Sequence, residues 1–212
     1  TPESLTWLPP AYDRAGNPAW PGDYDRTPDI TANWTWNGPD AHLSLRAASL
    51  EYRNDKTQRR GYALGLSGSY RLGDDTLVAS LQGGEGIGRY MFNSILQGAT
   101  ATGSDLHLWK AAGWHLGLTH LWHAGMRSNL ILSQTRFARD NAADVALRAA
   151  WLGVIDDFVP NRRVDQAFFN TFWSIDKHVE IGLEYAWGKR WTFGDESARQ
   201  ERINATVNYN FN

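Results

Sequence analysis

The chain has no cysteine, so it has neither a disulfide framework nor thiolate chemistry, metal-binding or nucleophilic. It also lacks any apolar run approaching the ~20 residues of a spanning helix. A surplus of one charge is missing too. The net charge is −2, which leaves no electrostatic footprint for nucleic acid. No signal peptide is visible at the start. Proline is nearly confined to the first 28 residues; beyond them only Pro39 and Pro160 occur.

Aromatic residues are abundant. Eleven Trp and eight Tyr sit in a chain that is only 42% hydrophobic, with a mean hydropathy of −0.49. A membrane β-barrel reconciles these values. Only alternate residues of its strands need be apolar, and its aromatics gather in two interfacial girdles. The last stretch shows the pattern most clearly. Ile203, Ala205, Val207, Tyr209 and Phe211 alternate with Arg202, Asn204, Thr206, Asn208 and Asn210. Successive strand side chains point to opposite faces, so this is one apolar and one polar face. Nine segments read as strands: 29–36, 41–52, 60–72, 76–83, 106–122, 127–137, 163–174, 178–188 and 200–211. Small residues (Gly65, Ser67, Gly113, Gly117, Gly182) recur on their polar faces, leaving room for a lumen. Leu50 and Phe168 fall out of phase, which predicts a bulge or a pore-facing side chain at each.

The connections alternate in length. Residues 37–40, 73–75, 123–126 and 175–177 are short; 53–59, 84–105, 138–162 and 189–199 are longer. Outer-membrane barrels have short periplasmic turns and long extracellular loops. With the last strand ending in the periplasm, every short turn falls on that side. Residues 1–28, broken by Pro and Gly, then read as an extracellular loop, and 29–212 as one β-barrel domain. Bacterial single-chain barrels have even strand numbers, so nine predicts an odd number of further strands before this chain. The Ala-rich stretch 141–150 predicts a short helix within a loop.

Several stretches resemble the later strands of DcaP-like porins: Pro28-Asp29-Ile30-Thr31-Ala32, Leu64-Gly65-Leu66-Ser67-Gly68-Ser69-Tyr70, Gly86-Ile87-Gly88-Arg89-Tyr90, Arg127-Ser128-Asn129-Leu130 and Gly182-Leu183-Glu184-Tyr185-Ala186-Trp187-Gly188-Lys189-Arg190. The ending at Phe211 resembles the barrel-insertion signal of that class, except that Asn212 follows the aromatic residue. The resemblance implies an all-β, antiparallel, up-and-down transmembrane barrel of sixteen strands, nine of them here. It also implies homotrimers in the bacterial outer membrane, in contact with its lipid and lipopolysaccharide. The implied activity is passage of small anionic solutes such as dicarboxylates or aromatic acids.

A selective pore needs charged groups on the lumen face or on an infolded loop. Strand parity places Arg46, Arg71 and Arg202 on the polar face; Arg89, Arg136 and Lys110 lie near strand or loop ends. Arginines suit carboxylate solutes because they bind them bidentately. Glu180 and Glu184 share that face and would balance part of the charge. Arg46, Arg71, Arg89, Arg136, Arg202, Glu180 and Glu184 are thus the candidate pore-lining set. The competing reading makes them ordinary solvated lumen charges. His120 and His123 point to opposite faces of a strand and make a poor metal pair. Glu180 and Glu184 lie roughly 13 Å apart, too far for paired-carboxylate hydrolysis. No cofactor and no catalytic constellation follow from the sequence. A passive diffusion pore is the leading expectation. An outer-membrane barrel enzyme and a soluble ligand-binding barrel are the alternatives, the latter distinguished by solubility without detergent.

Overall fold

The computed structural model describes residues 11–12, 18–19, 27–53, 56–91, 98–102, 105–140, 144–145 and 160–211. Nine strands form one sheet among them: β1 (Ile30–Asn37), β2 (Ala41–Arg53), β3 (Gln58–Leu72), β4 (Asp75–Glu85), β5 (Lys110–His123), β6 (Met126–Phe137), β7 (Asn161–Ser174), β8 (Val179–Thr192) and β9 (Ser197–Tyr209). Each pairs antiparallel with its neighbour in chain order, without a crossover. This up-and-down order is the one that turns between adjacent strands produce.

Register shows that alternation is shared across the sheet. Trp34, Leu45, Leu66, Leu81 and Trp114 are successive cross-strand partners, and so are Leu118, Leu130, Phe169, Tyr185 and Ile203. These rows make one apolar face, and it is bare: Leu64 is 71% and Ile203 73% exposed. No second layer covers that face among the described residues. Lipid is the medium that an uncovered face of this composition fits. Trp36, Tyr70, Trp122, Trp173 and Tyr209 gather at the end with the short turns, as an interfacial girdle does.

The strands run further than alternation predicts. β8 continues to Thr192 and β9 begins at Ser197, so their connection shrinks to 193–196; β2 and β3 are likewise joined by 54–57. The apolar pattern stops at the membrane edge, whereas backbone pairing continues through the polar Lys189–Arg199 and Arg190–Ala198 partners. Two connections remain truly long, 86–109 and 138–160. At the opposite end the turns are 38–40, 73–74, 124–125 and 175–178. Gly73 takes the left-handed backbone of its turn, with φ 61°. Asp176 accepts hydrogen bonds from the amides of His178 (2.7 Å) and Val179 (2.9 Å). Both amides favour the charged carboxylate and hold its pKa below the usual range.

The predicted strand from Leu106 is divided. Asp105–Leu108 pairs with Ala99–Thr102 in a separate hairpin, and β5 starts after Trp109. Leu50 and Phe168 sit in regular register and face inward; the bulges lie elsewhere, at Met126/Arg127 and Asn161/Arg163. Of residues 1–26, only a small hairpin of Ala11–Tyr12 with Pro18–Ala19 is described, so the predicted loop falls largely outside the described residues. The predicted helix at 141–150 does too, except for a helical Asp144 and Val145.

Candidate functional site

The face opposite the apolar one is polar and small. Its residues include Ser67, Ser80, Gly113, Gly117, Gln166, Gly188, Thr206 and the charged groups. Arg46 lies between its partners Asn33 and Gly65, Arg71 opposite Thr76 near a short turn, and Arg202 opposite Ala186. Glu180 and Glu184 occupy the same face on β8. Parity places these five predicted residues inward. Arg136 is a correction: it pairs with Ala112 and Arg163 and shares the phase of Leu130 and Leu132, so it faces outward. Arg89 belongs to a short turn, Gly88–Tyr90, and its side chain lies outside the described residues.

Sequence reasoning missed three inward arginines. Arg59 pairs with Tyr52, Arg127 with Phe172, and Arg190 with Val164 and Ala198. Arg127 grips Glu180 with both terminal nitrogens, at 2.5 and 3.2 Å, and lies 4.6 Å over the Phe172 ring. Ser174 and Asn208 donate weaker bonds to the same carboxylate. Glu184 is held differently. Thr119 donates to Asn129 (2.6 Å), Asn129 to Asn170 (2.6 Å), and Asn170 to Glu184 (3.1 Å), while Asn204 donates from β9 (2.9 Å). This row of amides crosses five strands and ends on a carboxylate. Arg46, Arg71, Arg190 and Arg202 have no carboxylate partner among the described residues. Acidic strand residues such as Asp75, Glu85, Asp165 and Glu201 fall on the outward parity. His120, also outward, bonds Asp75 at 2.5 Å.

The only sizeable buried cluster among the described residues lies at the end with the long connections, on the inward side. Leu50 and Tyr52 of β2, Ala111 of β5 and Phe137 of β6 form its wall. Ile87, Met91, Ala99, Leu106, Leu108 and Trp109 of the connection 86–109 pack onto them, with Phe193. The connection therefore turns into the sheet's concavity. Its base is tied: Gly86 N–H donates to Trp109 O (2.9 Å), and Trp109 N–H to Gly98 O (2.9 Å). Tyr52 donates its hydroxyl to Gly86 O at 2.5 Å. Gly86 has φ 76°, and a Cβ at Gly98 would fall 1.8 Å from the Tyr52 oxygen, so glycine is required at both. Trp109 is 1% exposed, sends Nε1–H to Thr100 Oγ1 (2.8 Å) and tilts against Phe193 with ring centroids 5.1 Å apart. Arg59 binds Asp105 of the hairpin at 3.0 and 3.2 Å. The Leu106 amide, with Arg59, holds the Asp105 carboxyl below its usual range. The sequence signal was a connection too apolar for a solvated loop, at Ile87, Met91, Leu106, Leu108 and Trp109.

Narrowing of a polar, cationic channel by an infolded segment is what this arrangement can do. A family model described as DcaP outer membrane protein matches residues 22–211. The chain belongs to the DcaP family. Its compartment is accordingly the outer membrane. The fold also matches the crystal structure of the outer membrane channel DcaP of Acinetobacter baumannii, with a TM-score of 0.77 at 19% identity. The match covers 89% of this chain and 53% of that channel, so the chain spans about half its length. At that identity the likeness establishes the DcaP-type β-barrel fold. No curated protein sequence matches the chain.

Proposed function

We propose that this chain is part of a passive diffusion channel for small anionic solutes. The observation that carries the reading is the sorting of charge. Arg46, Arg71, Arg190 and Arg202 face inward without a carboxylate partner among the described residues, and the inward carboxylates Glu180 and Glu184 are already engaged. A lumen wall with surplus fixed positive charge concentrates anions and repels cations. The free edges of β1 and β9 cannot stand open in hydrocarbon. Seven further strands between them would complete a barrel of sixteen, which accords with coverage of about half the related channel. Diffusion through such a wall needs no catalytic group.

Reversal potentials across a salt gradient test this on the complete protein in planar bilayers. Chloride is expected to permeate better than potassium. Replacing Arg46, Arg190 and Arg202 together by Glu is expected to invert that preference with the channel still open. Cation preference in the unaltered protein, or no current at all, would end this reading.

A further inference from the structure

The outward face changes character at the ends of β6 to β9 nearest the long connections. The row Leu118, Leu130, Phe169, Tyr185 and Ile203 is wholly apolar. Two outward rows further on come Trp114, Gln134, Asp165, Lys189 and Arg199, and the next row carries Arg136, Arg163 and Trp191. Four cations thus face two carboxylates, Asp165 and Glu201. Both carboxylates are already taken. Asp165 accepts from Arg163 Nε (2.8 Å) and Nη2 (2.5 Å) and from Gln134 (2.9 Å), and Glu201 pairs with Arg199. Arg136 and Lys189 have no carboxylate partner among the described residues. Trp191 organises the patch: Arg163 Cζ lies 4.6 Å and Lys189 Nζ 4.7 Å from its ring centroid.

The wall separates this patch from the lumen, so its surplus charge does not face permeating solute. Its apolar neighbours must meet acyl chains. Whatever meets Arg136 and Lys189 therefore sits one headgroup above hydrocarbon, in the leaflet on the side of the long connections. We infer that the outward patch of Arg136, Arg163, Lys189 and Trp191 binds the phosphate-bearing headgroup of an outer-leaflet glycolipid. Arg136 and Lys189 are its phosphate partners, and Arg163, clamped by Asp165, holds Trp191 beside them at headgroup level. The inference rests on the outer-membrane placement and on the long connections being extracellular. It does not depend on which solute the lumen passes.

The test uses the complete protein in detergent, titrated with lipopolysaccharide and with the same glycolipid stripped of its phosphates, bound lipid being counted by native mass spectrometry. The double variant Arg136→Gln/Lys189→Gln is expected to bind phosphorylated glycolipid roughly tenfold or more weakly than the unaltered protein. Lys189→Arg is expected to retain binding. The dephosphorylated glycolipid should bind the unaltered protein and the double variant alike. Single-channel conductance of the double variant should not change, which also shows that it folds. Equal affinity of unaltered and double-variant protein for the phosphorylated glycolipid would overturn the inference. So would equal binding by the unaltered protein with and without the phosphates. A drop in conductance would place the patch on the solute path and overturn it as well, whereas loss of anion preference in the unaltered protein would strike only the pore reading.

Discussion

Replacing Trp109 by alanine is expected to raise the single-channel conductance severalfold and to cost about 3–5 kcal/mol of packing. The side chain is 1% exposed and belongs to the buried cluster that fixes the infolded connection. Its removal takes away the Thr100 partner and the surface facing Phe193, and it leaves a cavity that the strand wall cannot collapse to fill. The strands themselves are held by continuous backbone ladders on either side, so the segment should unseat while the wall remains. Conductance in planar bilayers and protease cleavage within 86–109 would report this together. Tyr52→Phe is the mild comparison. It removes the hydroxyl bond to Gly86 and should cost about 1 kcal/mol with little change in current. Unchanged conductance in the Trp109 variant, with the segment cleaved, would show that the segment does not narrow the path.

Leu130→Arg and Ser133→Arg, neighbours on β6, should part company sharply. Leu130 belongs to the wholly apolar row and faces outward; Ser133 faces inward between His115 and Gln166. An arginine on the lipid side at mid-membrane costs about 2–4 kcal/mol, whereas a lumen substitution changes selectivity more than stability. Equilibrium refolding of the complete protein into lipid vesicles, followed against denaturant, measures both. A soluble sheet gives the opposite expectation for Leu130. There an exposed Leu→Arg change stays within about 0.5 kcal/mol. The size of the Leu130→Arg loss therefore reports the medium outside the sheet.

Strand existence, order and face were legible because a period of two is imposed by the backbone and a membrane makes one face uniformly apolar. Strand ends were not. Hydrophobic alternation ceases where hydrocarbon ends, and the ladder through Lys189 and Arg199 runs on beyond it. That is why Arg190, beyond the expected end of its strand, went unseen. Arg136 was misplaced although its parity with Leu130 and Leu132 was readable; position near a strand end says nothing about face. Arg127 was equally readable from Asn129. The infolding of 86–109 was the least legible element, since its contacts with Leu50, Tyr52 and Phe137 join residues far apart in sequence. Leu50, out of phase for a lipid-facing residue, and the apolar residues of the connection itself are its local signs.

One face of this sheet meets lipid and the other meets water. With no native cysteine, single cysteines along β8 of the complete protein in membranes test it cleanly. Cysteine at Glu180, Glu184 or Gly188 should react with a hydrophilic thiol reagent, and cysteine at Ile181, Leu183 or Tyr185 should not. Uniform reaction along the strand, or reaction at 181, 183 and 185 in place of 180, 184 and 188, would rule out this division of the two faces.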